Sequence, residues 1–213
     1  MHRKYEIKSK MTQYGSVIFK SILEARWAVF FDSLGITYTY EPDCFEVETG
    51  GRTVTYKPDF FLPDLSKYIE IKPNKPYEIE KTKAAAWSKH IGDTIILFNL
   101  NPPSGNLENG WEFSFSEIKN IPMLSKCLCW GECPKCSHID LAEDGELTSC
   151  GCFTLNNFNN MYDAEEEKGI CITPNFKKSE RLLTAYKKAK TFKFNSKNLS
   201  RVAKLHIQLG LFK

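Results

Sequence analysis

The sequence predicts an α/β domain in the order helix, three strands, helix, strand, followed by a small cysteine module and a basic helical C-terminal segment. Three observations carry this prediction. Apolar residues at helical spacing fill residues 21–34, and a second helical stretch follows Pro76. Around them lie short runs rich in Tyr, Thr, Ile and Phe that alternate with polar residues, as half-buried strands do. Six of the eight cysteines crowd into residues 127–152. The expected division is residues 1–120 for the α/β domain, 121–160 for the cysteine module and 161–213 for the C-terminal segment.

Each element has a local reason. Residues 1–15 are polar and broken by Gly15, which predicts an arm or a loose strand. Ser21 opens the first helix and Gly35 stops it, with Ile22, Leu23, Trp27, Phe30, Phe31 and Leu34 as its buried stripe. Glu24 falls beside that stripe, at about 100° per residue, so it needs a partner. Ser21-x-x-Glu24 is a capping box, which supplies one. Residues 36–47 alternate, Gly50-Gly51 turns the chain and residues 52–56 return, a hairpin pattern.

Strands are then expected at 60–62 and 68–72, a helix from Pro76 through Ile79 and Trp87 to Gly92, and a buried strand at 94–99. A connection of that length makes the last strand parallel to the 68–72 strand. Residues 111–115 read as an edge strand, 121–126 as a linker and 156–160 as a turn-rich loop. Ser179 caps a helix to about residue 190 with Leu182, Leu183, Tyr186 and Ala189 on one face, and 199–211 reads as a short basic helix.

With 213 residues, 42% hydrophobic and 13% aromatic, the chain can build a real core. Its net charge of +3 does not by itself demand a polyanion. The tail is more biased: residues 177–213 hold eleven Lys or Arg against one acid, Glu180. That pattern suits phosphate contacts or a solvated helix face. No apolar run reaches the ~18 residues of a membrane helix, and the N-terminus lacks a signal peptide's apolar segment. The expectation is a soluble intracellular protein without membrane contact, cytoplasmic, and in the host cytoplasm if viral.

Chemistry concentrates in residues 56–72, Y-K-P-D-F-F-L-P-D-L-S-K-Y-I-E-I-K. Alternation puts Ile69 and Ile71 on one face, and Tyr68, Glu70 and Lys72 on the other. If the runs at 60–62 and 68–72 pair, Asp59 and Glu70 converge with Lys72 beside them. Adjacent carboxylates repel, and a cation is the usual remedy. Oxygen ligands favour Mg²⁺ or Mn²⁺.

F-K-S-I-L-E at 19–24, Y-K-P-D-F-F-L-P at 56–63 and Y-I-E-I-K at 68–72 together resemble the PD-(D/E)xK nuclease superfamily. Within it the likeness is to phage junction-resolving and transposon-end endonucleases, over residues 16–100. The resemblance implies a restriction-endonuclease-like αβββαβ core. It implies catalytic roles for Glu24, Asp59, Glu70 and Lys72, with Mg²⁺ held by Glu24, Asp59, Glu70 and the Ile71 carbonyl. Glu24 as ligand and Glu24 as cap are compatible roles. Pro73-Asn74 departs from the glycine frequent after the lysine.

Cys133-Pro-Lys-Cys136 and Cys150-Gly-Cys152, thirteen residues apart, have the layout of a zinc ribbon. Asp144-Gly145 would turn a hairpin between residues 139–141 and 147–148. Cys127 and Cys129 could replace one pair or serve a second ion, His138 is a further candidate or a surface residue, and Cys44 and Cys171 read as ordinary buried thiols. Trp130 and Phe153 read as core. Lys81 and Lys83 are candidates for a phosphate contact or for solvated surface.

The function expected is a metal-dependent DNA endonuclease acting on branched or recombining DNA, as a homodimer like related junction cutters. The alternative is a non-catalytic nucleic-acid-binding or assembly protein on the same fold. An RNA-directed nuclease is a third class, although no RNA-reading motif is present.

Overall fold

The computed structural model describes residues 10–90, 94–98, 110–116, 121–126, 129–133, 136–142 and 179–194. At their centre is a helix whose own residues disfavour it. α1 (Ile22–Leu34) carries Trp27, Val29, Phe30 and Phe31, aromatic and β-branched side chains that lose rotamer freedom in a helix. Burial offsets that loss. All four are fully buried, and each such side chain gains about 1.5–3 kcal/mol on leaving water. Ser21 Oγ accepts the Glu24 N–H at 3.1 Å at the start. Gly35 ends the helix at φ 71°, a conformation that costs a residue with a Cβ about 1–2 kcal/mol. Ile22, expected in the buried stripe, is exposed at the first turn.

Ahead of α1, the arm is an ordered hairpin. β1 (Thr12–Tyr14) pairs antiparallel with β2 (Val17–Phe19) around Gly15. β4 (Phe45–Thr49) and β5 (Arg52–Tyr56) form the expected ribbon, standing as a two-stranded sheet of its own. Gly50 and Gly51 close it with φ of 57° and 73°, the double positive φ of a type I′ turn.

The main sheet contains β3 (Thr39–Tyr40), β6 (Phe60–Leu62), β7 (Lys67–Lys72), β8 (Thr94–Phe98), β9 (Gly110–Ser116) and β10 (Ile121–Lys126). Its order is β10-β9-β8-β7-β6-β3. β7 and β8 are parallel, as expected, and α2 (Glu78–His90) makes the crossover between them. The remaining neighbours are antiparallel. The 121–126 segment is therefore a strand and not a linker, and β9 is an interior strand. Pro122 suggests a linker because it cannot donate to a ladder, yet it is tolerated on β10, the sheet edge.

Strand alternation feeds two cores. Phe60, Leu62, Ile69, Ile71 and Ile95 pack with the α1 side chains. Ile96 packs with Ala84 and Trp87 of α2 and with Val47 and Tyr56 of the β4–β5 ribbon, with Tyr68 against them. α1 and α2 thus cover opposite faces of the sheet. Ile79 does not join the second core and is 55% exposed.

The cysteine segment and the C-terminal helix share the first core. β11 (Cys129–Glu132) pairs antiparallel with β12 (Ile139–Ala142). Trp130 is fully buried, its ring 5.5 Å from Phe30 and 5.9 Å from Phe31. α3 (Glu180–Thr191) is capped by Ser179, as expected, and stacks Tyr186 on Phe30 at 4.8 Å. Its buried face is Leu182, Ala185, Tyr186 and Ala189; Leu183 is half exposed because it lies off the i, i+3, i+4, i+7 stripe. Arg181 bridges the parts, donating to Leu34 O at 2.5 Å and to Ser137 O at 3.1 Å. Cys44, expected as a buried thiol, is exposed in the loop before β4. The readings of 147–148, 156–160 and 199–211, and of Cys127, Cys150, Cys152, Phe153 and Cys171, lie outside the described residues. Among the described residues, no helix is long and apolar enough to cross a membrane.

Trp130→Ala should cost about 3–5 kcal/mol, read by urea denaturation. Because the indole packs on α1, tryptophan fluorescence and circular dichroism should report one coincident transition in the wild type. Two separate transitions would show that the cysteine hairpin folds apart from the sheet.

Candidate active site

β6 and β7 pair with Phe60 opposite Ile69 and Phe61 opposite Tyr68. One more step along this antiparallel register places Asp59 opposite Glu70. Alternation puts both on the face that carries Phe61 and Tyr68, whose rings lie 4.6 Å apart. Asp59 Oδ2 accepts the Ile71 N–H at 2.7 Å. One carboxylate is thereby fastened to the strand that bears the other.

Glu70 and Lys72, two apart on β7, share a face. Lys72 Nζ lies 2.5 Å from Glu70 Oε1 and 3.2 Å from Glu80 Oε1 of α2. The other Glu70 oxygen, Oε2, is buried without a hydrogen-bond partner. The indole N–H groups of Trp27, Trp87 and Trp130 are also buried without partners. Those are neutral groups in apolar packing, whereas a carboxylate oxygen left in that state costs far more.

Glu24 is placed differently. Its Oε1 accepts the Ser21 hydroxyl at 2.6 Å. Its Oε2 accepts the Tyr40 hydroxyl at 2.5 Å and the Lys20 N–H at 3.1 Å. Glu24 thus secures the start of α1 through the Lys20 N–H and the Ser21 hydroxyl, one residue away from the Ser21 N–H that a capping box engages, and both of its oxygens are engaged by the protein. It still acts on the site through its field, raising the pKa values of Asp59 and Glu70. Among the described residues, no three His, Cys, Asp or Glu side chains close around one point tightly enough to hold an ion unaided.

Burial pushes the Asp59 carboxyl well above its usual range, and the charges of Glu70 and Glu24 push it further; the Ile71 N–H and Lys72 act the other way. Asp59 keeps partial contact with solvent although protein atoms crowd it. Glu70 is raised as well, first by burial, against the opposing pull of Lys72. Burial alone would lower Lys72, but Glu70, Asp59 and Glu80 outweigh it and hold the ammonium above its ordinary value. Lys72 is therefore a fixed positive charge and no proton acceptor at neutral pH.

Three residues at the site escaped the sequence reading. Glu80 sits in the first turn of α2, where its Oε2 accepts the Tyr77 N–H at 2.7 Å; in the sequence it reads only as a helix-start acid. Tyr40 anchors Glu24, a contact between residues sixteen apart that no periodicity encodes. The Tyr56 hydroxyl is buried without a partner. Burial and then the charges of Glu70, Asp59 and Glu80 keep that phenol protonated. Lys81 pairs with Glu78, and Lys83 is half exposed.

At the cysteine hairpin, Cys133 is buried and Cys136 exposed. The Ser137 N–H donates to Cys133 O and the Cys133 N–H to His138 O, each at 2.8 Å, with Ser137 at φ 60°. This tight turn brings the two cysteine positions to one end of the hairpin. Compared with protein-family models, with curated proteins and with solved structures, the chain gives no match.

The raised carboxyls fix a sign for pH dependence. The fold favours their protonated forms, so stability is fully present below the ordinary values of 3.8 and 4.5. It is lost as pH rises through the raised values. Each raised unit corresponds to about 1.4 kcal/mol. The melting temperature of the metal-free protein should fall as pH rises above the ordinary carboxyl range, and Asp59→Asn should flatten that fall. A wild-type profile as flat as that of the variant would remove the buried acid pair.

Proposed function

We propose that the chain is a divalent-metal-dependent DNA endonuclease that hydrolyses phosphodiester bonds in branched or recombining DNA. The observation that carries this reading is the open, buried Glu70 Oε2, set across from Asp59 and beside the Lys72 ammonium. Lys72 engages Oε1, so the buried Oε2 has no donor of its own, and a hard divalent cation suits a carboxylate pair. Asp59 and Glu70 would hold Mg²⁺ or Mn²⁺, with the Ile71 carbonyl as a further ligand. The succession of α1, β6, β7, α2 and β8 supports a restriction-endonuclease-like core.

An ion bound there lowers the pKa of a coordinated water and neutralises charge on the scissile phosphate. The chain supplies the rest. The Ile71 N–H keeps Asp59 turned towards β7, so the ligand pair is oriented before substrate arrives. Lys72, held protonated by its three acids, stabilises the negative charge that builds on the phosphate oxygens. Glu24 positions the start of α1 and adds negative field, a supporting role rather than that of a direct ligand. Cys133 and Cys136 would hold structural Zn²⁺ with Cys150 and Cys152. A homodimer would present two such sites, one for each strand of a branched duplex.

A second reading, a nucleic-acid-binding or assembly protein without catalysis, draws on one observation. Both Glu24 oxygens are occupied, which leaves two free acids in place of three.

Cleavage of a four-way junction in Mg²⁺ separates the two. Asp59→Ala and Lys72→Ala should each lower the rate about 10²–10³-fold or more, with unchanged circular dichroism. Mg²⁺ should raise the melting temperature of the wild type but not of Asp59→Ala. Junction binding with no cleavage in any divalent ion would leave the non-catalytic reading standing. For the cysteine module, Cys133→Ser should abolish bound zinc measured by atomic absorption; an unchanged zinc content would refute that ligand set.

A further inference from the structure

The turn after β3 holds a residue in a conformation that needs explaining. Glu41 has φ 47°, in the left-handed region that costs a side chain with a Cβ about 1–2 kcal/mol. Its N–H donates to Asp59 O at 2.8 Å, tying it to the chain at the site. Its carboxylate bridges two lysines: Lys20 Nζ pairs with Oε1, and Lys57 Nζ lies 3.2 Å from Oε2.

Both lysines are mounted on the acid-bearing segments. Lys20 immediately precedes the Ser21 cap, and its N–H reaches Glu24 Oε2 at 3.1 Å and the Tyr40 hydroxyl at 2.8 Å. Lys57 stands two residues before Asp59. Their side chains keep 41% and 32% of their exposure, while that of Glu41 keeps 18%. An ammonium has three donors, so each lysine has capacity left towards solvent.

Stability does not account for this cluster. Each partly exposed ion pair contributes about 0–1 kcal/mol, so the two together do no more than offset the cost of about 1–2 kcal/mol at the left-handed Glu41 backbone. What the cluster does provide is an oxyanion seat: two cations, carried on the segments that bear Glu24 and Asp59, facing two oxygens of one negative group. A phosphate offers the same pair of oxygens without the strained backbone.

We propose that Lys20 and Lys57 form a seat for a DNA backbone phosphate next to the scissile one, filled by the Glu41 carboxylate in the free protein and vacated when DNA binds. The identity of the anion rests on the nuclease reading; the seat itself rests on the lysine geometry. Glu41 is then a gate. Its carboxylate swings out, the lysines exchange it for the phosphate, and counterions condensed on the bound phosphate enter solution.

Anisotropy of a labelled four-way junction and a labelled linear duplex, in EDTA so that nothing is cut, tests the seat across a salt series. Lys20→Gln/Lys57→Gln should make the slope of log K against log salt shallower by about 1, the share of one phosphate. Glu41→Gln should bind about threefold tighter at low salt. An unchanged slope in the double variant, or no tightening in Glu41→Gln, overturns the seat. Should the double variant melt early, each single variant, expected to make the slope shallower by a part of that unit, takes its place. If the wild type binds either DNA and the slopes do not respond, only the seat falls. Should the wild type bind neither DNA, in EDTA or with Ca²⁺ in its place, the seat and the nuclease reading fall together.

Discussion

Two acids opposite one another on paired strands set the problem that the rest of this protein answers. Side chains in that relation lie about 5 Å apart, and two like charges at that distance repel by about 3 kcal/mol at an effective dielectric of ~20. A fold of this size has only about 5–15 kcal/mol of net stability, so the repulsion is not incidental. The chain meets part of it with the Ile71 N–H on Asp59 and the Lys72 ammonium on Glu70. It meets another part by pushing both carboxyls towards their neutral forms. Even so, one oxygen of Glu70 is left unserved.

Holding that arrangement in register requires rigid surroundings, and α1 supplies them. Its aromatic face packs on β6 and β7 through Phe31 against Phe60 at 5.3 Å. The other side of the same helix carries Trp130 and Tyr186. The cysteine hairpin and α3 are therefore braces on the back of the helix whose first turn holds Glu24. Arg181 reinforces the junction by accepting no compromise in geometry: its guanidinium donates to the last turn of α1 and to the hairpin turn at once. Ordering the hairpin stiffens α1 even though it lies away from Asp59 and Glu70.

Much of this could be read from the residues. Ser21 and Gly35 bound α1 because capping chemistry is local, and the parallel β7–β8 step followed from the length of the crossover. The Asp59–Glu70 approach was legible because strand alternation and a short connection leave one register that buries Phe60, Leu62 and Ile69 together. What stayed hidden depends on distant partners. Glu24 looked equally suited to capping and to metal binding until Tyr40, sixteen residues on, filled its second oxygen. Glu80 reached Lys72 only because α2 packs across β7 and β8. At 121–126 the sequence misled, since Pro122 has the same signature in a linker as on a sheet edge.

The charges also constrain the order of events on the proposed reading. Asp59, Glu70 and Glu80 act on one ammonium, Lys72, with Glu24 adding its field on the two central acids, so among the described residues the site carries more acids than cations and repels a phosphate backbone. A divalent ion must therefore bind before the scissile phosphate or together with it. Because the fold raises the Asp59 and Glu70 carboxyls, such an ion also displaces protons as it enters, which makes its affinity rise with pH. Lys20 and Lys57, on the same acid-bearing segments but outside the ligand pair, can draw the backbone in without competing for the ion. Attraction and ion binding thus fall to separate residues. That separation explains why the chain tolerates a strained Glu41 on one side and an open Glu70 oxygen on the other.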